Sequence, residues 1–281
     1  MKYAYYPGCS LESTAKEYDY SARAACGHLG IELAELKDWS CCGATSAHST
    51  SHLLSLALPA RNLALARDAM LDIAVPCSAC YSRLKNADYV MRRDDAARRE
   101  VEEAAGIDYR SKISVYSLLE AVVIGAGLKA VAEKVKKPLK GLKIACYYGC
   151  LLVRPPVVTG FDDTENPVLL DRLMETLGAE AVQWSYKTDC CGASLALSES
   201  GAVNGLVGVI LEMASEAGAS ALVTSCPLCQ ANLEMRRAED ITLPVFYFTE
   251  LMGLAFGLQD YRGWFQKHLV DPQPLLHSLG F

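Results

Sequence analysis

The sequence predicts an α/β protein built of two related halves, each a small, mostly parallel sheet flanked by helices. Two observations carry that prediction. Short apolar runs alternate along the chain with longer segments of helical periodicity, the pattern of a parallel α/β sheet. Ten of the twelve cysteines also fall into one pattern written twice: Cys9, Cys41-Cys42 and Cys77-x-x-Cys80, then Cys150, Cys190-Cys191 and Cys226-x-x-Cys229. From the second cysteine of the adjacent pair to the CxxC is 35 residues in both copies. The flanks agree, with Tyr6-Pro-Gly-Cys9 against Tyr148-Gly-Cys150 and Cys-Cys-Gly-Ala at both 41–44 and 190–193. A spacing that recurs within one chain marks a duplicated unit.

Each half reads as the same order of elements. Residues 2–6 and 142–148 are apolar runs that end at Gly-Cys and are expected to be strands. A helix follows each. Ala15, Tyr18, Ala22, Ala25, Cys26 and Leu29 recur at helical spacing before Gly30; in the second half Asn166-Pro167 predicts an N-cap and first position, and Gly178 a stop. A second extended segment leads to each Cys-Cys-Gly. A longer helix is then expected over 46–70, broken at Pro59, and over 196–217. Residues 73–75 and 221–223 read as short buried strands that deliver a CxxC to the start of the next helix. Ligands of such sheets gather at the carboxyl ends of the strands, where these cysteines fall. The predicted units are 1–118 and 141–258, joined by a linker helix over 119–140 and followed by a tail over 259–281. In that tail Trp264, Phe265 and Leu269 are expected to pack down or meet a partner. Residues 92–103 read as a solvated helix. Cys9 to Cys41 is 32 residues but Cys150 to Cys190 is 40, and the excess predicts a longer loop over 151–160 beside the second site.

Composition limits the function. The 281 residues are 51% hydrophobic and 21% charged, with a net charge of −6, which argues for a globular protein without a nucleic-acid surface. Residues 1–7 lack an apolar signal core, and the longest greasy stretch, 118–132, carries Glu120 and Lys129. Neither export nor a membrane span is expected, and a reducing cytoplasm is the expected compartment. Six disulfides suit neither that compartment nor the adjacent cysteine pairs, whose geometry resists bridging. Five thiols per copy exceed the four that a structural zinc site closes on, so a multi-iron cluster is favoured over zinc. Cys26 and Cys146 lie outside the pattern on apolar segments and read as buried small hydrophobes.

The doubled pattern, with Tyr6-Pro7-Gly8-Cys9, Cys41-Cys42-Gly43, Cys190-Cys191-Gly192 and both CxxC motifs, resembles the CCG-domain family. Over nearly all of residues 1–258 it is similar to the B subunit of heterodisulfide reductase, including Cys150-Leu-Leu-Val-Arg-Pro-Pro and Cys226-Pro-Leu-Cys-Gln-Ala-Asn232. The resemblance implies two non-cubane [4Fe-4S] clusters, one on Cys9, Cys41, Cys42, Cys77 and Cys80, the other on Cys150, Cys190, Cys191, Cys226 and Cys229. It implies an oxidoreductase acting on a sulfur group: a disulfide held between the clusters is split, one sulfur going to each. It also implies partners, a ferredoxin-type iron–sulfur subunit like the C subunit and a flavin-containing subunit like the A subunit. The chain itself shows neither a ferredoxin cysteine run nor a GxGxxG, so no flavin or nucleotide is expected in it. Two other readings stand beside this one: an electron-relay subunit of a dehydrogenase or quinone-linked complex, and a sulfur-oxidising counterpart acting on carrier-bound sulfur.

Residues beside the ligands supply further expectations. Arg154 on the longer loop and Lys187, three before Cys190, are candidates to meet an anionic substrate. His48 and His52 lie one turn apart after Cys42 and are candidate proton donors. Each also has an ordinary surface reading. Tyr81 and Tyr147-Tyr148 are expected to pack rather than react.

Overall fold

The computed structural model describes residues 1–44, 47–109, 113–238, 241–259 and 261–281. In the first half the elements are β1 (Lys2–Tyr5), α1 (Gly8–Glu12), α2 (Lys16–His28), β2 (Glu32–Glu35), α3 (Ala47–Thr50), α4 (His52–Asp68), β3 (Ile73–Val75), α5 (Ser78–Met91), α6 (Asp95–Ala105) and β4 (Val115–Ser117). One helical segment then joins the halves, running as α7 (Leu118–Glu120), a π-helical stretch (Ala121–Gly127) and α8 (Leu128–Lys134). The second half holds β5 (Lys143–Tyr147), α9 (Cys150–Val153), α10 (Pro156–Thr159), α11 (Leu169–Thr176), β6 (Glu180–Ala181), α12 (Ser200–Glu216), β7 (Ala221–Thr224), α13 (Pro227–Met235), β8 (Val245–Tyr247) and α14 (Phe248–Ala255). The tail forms α15 (Tyr261–Trp264) and α16 (Gln273–Ser278).

The two sheets are copies of each other. Their strand orders are β2-β1-β3-β4 and β6-β5-β7-β8, and every pairing is parallel. In each, the chain leaves the first strand for one neighbour and then crosses to the other side, so the order of strand addition reverses between β1 and β3 and between β5 and β7. That reversal opens a crevice at the strand carboxyl ends, where ligands bind in open α/β sheets.

Several local expectations change. Pro59 does not break its helix: α4 runs through it, and the interruption falls at Ser51, whose side chain caps α4 by accepting from Leu54 N at 3.3 Å. Asn166 is not the cap of α11. Asp162 holds that entrance, its Oδ2 accepting from Val168 N at 2.6 Å and Leu169 N at 2.8 Å. The expected loop over 151–160 is two single-turn helices, α9 and α10, on either side of a cis Arg154–Pro155 bond. In the tail Trp264 and Phe265 are buried, but Leu269 is 66% exposed. Trp264 lies so close to Gly253 that a Cβ there would stand 2.4 Å from its ring.

The halves share one core. Tyr18 of α2 stacks on Tyr247 with ring centroids 4.1 Å apart, and Ser21 meets Thr249 at 2.6 Å. On the opposite side α5 packs against α9 and α10, and Tyr81 donates to Thr159 O at 3.1 Å.

Candidate metal centre

Each crevice gathers its five thiols from three strand ends. In the first half Cys9 follows β1 at the start of α1, Cys41 and Cys42 lie on the segment beyond β2, and β3 delivers Cys77 as the N-cap of α5 with Cys80 in its first turn. In the second, Cys150 opens α9, Cys190 and Cys191 lie beyond β6, and Cys226 caps α13. Cys9, Cys41 and Cys190 reach the surface and Cys150 is half-buried; the other six are buried. Cys26 and Cys146 are fully buried, as small apolar residues would be. All twelve are free thiols.

Matched supports hold the two sets. Tyr6 donates its hydroxyl to Ser40 O at 2.7 Å, and Tyr147 donates to Asp189 O at 2.6 Å. Each tyrosine stands three residues before its first cysteine and ties that strand to the residue before the cysteine pair. The counterpart of Tyr6 is therefore Tyr147, not Tyr148. Gly8 and Gly149 have φ of 73° and 67°, and a Cβ on either would stand 3.1 Å from Cys80 Sγ or 3.2 Å from Cys229 Sγ. Any side chain there would be strained and would press on a thiol.

Within the sets, sulfur meets sulfur. Cys42 and Cys80 lie 3.2 Å apart, and Cys191 and Cys229 3.6 Å. Gly43 N and Gly192 N donate to Cys41 Sγ and Cys190 Sγ at 3.4 and 3.3 Å. The thiols of Cys41 and Cys80, with the Ala44 N–H and the Arg83 charge, pull Cys42 down to about 3 against the opposing effect of burial. The Cys150 thiol and the Gly192 N–H draw Cys190 down to about 6. Cys80 and Cys229, each hydrogen-bonded to two neighbouring thiols and in dry surroundings, are pushed up. Both sets thus favour thiolate at some positions while adjacent thiols supply the protons, which suits soft metal ions.

The two sets touch. Cys77 and Cys226 hydrogen-bond through their thiols, one from each half. Behind them the Tyr18 hydroxyl sits between the carbonyls of Pro76 and Ser225, at 3.3 and 3.0 Å. One side chain therefore clamps the residues that precede both CxxC motifs. Beside this junction lies a cavity of about 170 Å³, lined by all five thiols of the second set and by Ala44, Ser78 and Ala79 of the first half. Leu151, Leu197 and Leu228 make its other walls mainly apolar, with Tyr148 and Ser194 among them, and no Lys, Arg, His, Asp or Glu lines it.

The donor set fits a polynuclear cluster better than a single ion. Each crevice offers five sulfurs, and two glycines leave open the space a Cβ would fill beside Cys80 and Cys229. Among the described residues no group of three or more His, Cys, Asp or Glu side chains is arranged to hold one metal ion.

The other expected site residues are placed differently. Lys187 does not face the cavity. It is 1% exposed, its Nζ bound to Asp171 Oδ1 at 2.7 Å and Pro167 O at 3.1 Å, because its backbone carbonyl is drawn inward to accept from Tyr148 N and Gly149 N. Arg154 is half-exposed at the rim, with its guanidinium on Glu165 at 2.9 Å and Thr188 O at 3.0 Å. His48 on α3 and His52 at the start of α4 are exposed and fall on separate helices. Neither lines the cavity. Sequence reasoning misses Tyr18, Arg83, Asn62 and Asn232. Arg83 and Asn232 are visible in the repeat, six residues beyond each Cys77 or Cys226, whereas Tyr18 looks like any residue of an apolar helical stripe.

A doubled parallel sheet with five thiols at each crevice defines a protein of two fused cysteine-rich domains. The model of the CCG family, a cysteine-rich domain, matches residues 3–85 and 144–234, and the chain belongs to that family. Among curated relatives it is 33% identical over 284 residues to the 8-methylmenaquinol:fumarate reductase membrane anchor subunit of Wolinella succinogenes, covering 98% of this chain and 99% of the relative. It is 27% identical over 288 residues to the B subunit of the ferredoxin:CoB-CoM heterodisulfide reductase of Methanosarcina mazei, covering 96% and 94%. It is 29% identical over 272 residues to a protein of Archaeoglobus profundus that is itself like the heterodisulfide reductase B subunit, covering 92% and 91%. A hypothetical protein from Helicobacter pylori shares the fold, with a TM-score of 0.75 at 14% identity; the match covers 96% of this chain and about half of that structure, 52%. Among the described residues no helix is long and apolar enough to cross a membrane.

Proposed function

We propose that this chain is the iron–sulfur subunit of a multi-subunit oxidoreductase, that each half holds one non-cubane [4Fe-4S] cluster on its five thiols, and that the chain relays electrons between partner subunits. The observation that carries the relay reading is the cavity beside the junction. Its walls hold no cation, and the two cations expected to receive an anionic disulfide are neutralised by Asp171 and Glu165. Identity over the whole length to a subunit of a quinol-linked fumarate reductase supports the same reading. When bound, the clusters would supply one-electron transfer through iron. The protein's own part is positional. Tyr6 and Tyr147 fix each cysteine pair against its strand, Tyr18 holds the CxxC motifs together, and the Cys77–Cys226 hydrogen bond brings the two sets into contact. The partners of this reading are a ferredoxin-type iron–sulfur subunit and a flavin-containing subunit. The units are 1–118 and 141–258, joined by residues 119–140, which are helical as far as Lys134 and not beyond it.

A second reading, reduction of a disulfide, has its own support. The cavity is lined by thiols of one half and by Ser78 and Ala79 of the other, so a small uncharged disulfide would meet both. Similarity to the heterodisulfide reductase subunits agrees. Anaerobic iron and sulfide analysis with EPR tests both readings. About eight irons per chain, four for each [4Fe-4S] cluster, and a spectrum indifferent to added disulfides are expected. A new paramagnetic signal on adding a disulfide to the protein would move the reductase ahead. About four irons with zinc would overturn the two-cluster assignment.

A further inference from the structure

The alignment of the two halves that places Cys42 on Cys191 and Cys80 on Cys229 places Arg83 on Asn232. These two positions do different things. Asn232 is neutral and donates from Nδ2 to Cys191 O, holding the second cysteine pair from behind. Arg83 holds nothing: it stands three residues after Cys80 on α5, on the same face of that helix, among the described residues it has no hydrogen bond or ion pair, and its Nε is buried without a partner. In the first half the cysteine loop is held by Asn62 instead, which accepts from Ser40 N and donates to Ser40 O, both at 2.9 Å. The position of Asn62 in the second half is Leu211, which makes no such bonds. The supporting amide has changed helix, and the position it vacated carries a positive charge.

The remaining charges sharpen the difference. Near the second set, Lys187 is cancelled by Asp171 and Arg154 by Glu165, while Asp189 adjoins Cys190 and opposes its thiolate. Near the first, His48 and His52 are exposed, and Lys85 lies over the Tyr81 ring at 5.4 Å, with Glu120 beside it. Arg83 is thus an unpaired cation one turn from Cys80, whereas the arginines of the matching helix, Arg236 and Arg237, come seven and eight residues after Cys229 and spend N–H groups on backbone carbonyls.

We infer that Arg83 makes the first thiol set the electron sink of the pair: a centre on Cys9, Cys41, Cys42, Cys77 and Cys80 is reduced at a higher potential than one on Cys150, Cys190, Cys191, Cys226 and Cys229. Reduction adds one negative charge, and a nearby cation lowers its free energy, the more so where burial limits screening by solvent. Net local charge is among the factors that set cluster potentials. With both centres in place, an electron reaching the second would pass to the first; the second would be oxidised by one electron, the first reduced by one, and no bond would form or break. This inference rests on the proposal that both sets hold clusters.

An EPR-monitored redox titration of the iron-loaded chain, with dithionite and mediators, tests it. Two steps at different potentials are expected. Cys190→Ser, chosen to unload the second set, should leave the upper step and remove the lower. Arg83→Gln should weaken reduction of the upper centre at least tenfold, ~59 mV for one electron, and leave the lower step in place; Arg83→Lys should restore most of the loss. Iron content and thermal melting of each variant separate a potential shift from a damaged site. Loss of the upper step in Cys190→Ser overturns the inference, and that comparison stands even where Arg83→Gln fails to load. An upper step unmoved in a fully loaded Arg83→Gln overturns it as well. A wild-type chain that takes up no iron overturns the underlying functional reading, whereas full loading with unmoved steps overturns this inference alone.

Discussion

Replacing Lys187 with methionine separates its two readings, as a residue that meets substrate and as one that holds the fold. The side chain is 1% exposed, and its Nζ contacts Asp171 Oδ1 at 2.7 Å and Pro167 O at 3.1 Å. Asp171 is itself 3% exposed, with Tyr148 donating to its other oxygen at 2.6 Å. Methionine fills a similar volume but removes the charge, leaving Asp171 only the Tyr148 phenol and the Cys146 thiol in a dry site. Breaking a buried pair on one side costs about 3–5 kcal/mol. At ~2–4 °C of melting temperature per kcal/mol for a chain somewhat smaller than this one, the expected fall is roughly 6–20 °C. Removing both charges, in Lys187→Met with Asp171→Leu, should recover much of that loss, since an apolar replacement of a buried pair is often neutral or better. Thermal unfolding of the anaerobic protein, followed by circular dichroism, reads all three proteins. A single variant that melts with the wild type, or a double variant that melts below the single one, would rule out a structural ion pair at this position.

Other expectations follow from the same geometry. His268, from the tail, is buried between Glu250 at 3.0 Å and Glu234 at 3.3 Å. Burial lowers its affinity for a proton, but the two carboxylates outweigh that and raise it from 6.5 to about 10. A raised histidine stabilises the fold fully below its unfolded value and loses that contribution as pH climbs toward the folded one. Stability should therefore fall between about pH 7 and 10, by at most ~5 kcal/mol at ~1.4 kcal/mol per pH unit, and denaturant melts of His268→Gln should show that alkaline limb flattened. Gly149→Ala puts a methyl 3.2 Å from Cys229 Sγ on a backbone with φ of 67°, and iron analysis should show about half the wild-type content; Gly8→Ala should do the same at the first set. Tyr18→Phe leaves the carbonyls of Pro76 and Ser225 without their donor. A loss of ~1–3 kcal/mol in urea unfolding is expected, and an unchanged midpoint would remove Tyr18 from the junction.

Much of this molecule can be read from the chain because it is written twice. The alternation of short apolar runs with helical stripes gives the strands and their order along the sequence, and the cysteine spacing gives the thiol sets, since both are local patterns. Element ends are less legible. Pro59 reads as a break, yet α4 continues through it and stops short at Ser51, and Asp162 caps α11 from beyond the expected Asn166. Both outcomes depend on which side chain reaches a free N–H, and spacing alone does not reveal that.

The doubled α/β plan, the ten patterned sulfurs and the absence of any need for disulfides are properties of the chain alone. What those sulfurs face is a matter of packing. Crossing of the chain between β1 and β3, and between β5 and β7, brings three strand ends to one crevice in each half. The packing of α2 on α14 and of α5 on α9 then presses Cys77 against Cys226. Packing also sets the fate of the charges. Lys187 and Arg154 look alike in a sequence, but one is buried on Asp171 and the other is tied to Glu165 at the rim. Arg83, among the described residues, is left unpaired one turn beyond Cys80 on α5. A charge acts through distance and burial, and both are set by residues far away in the chain.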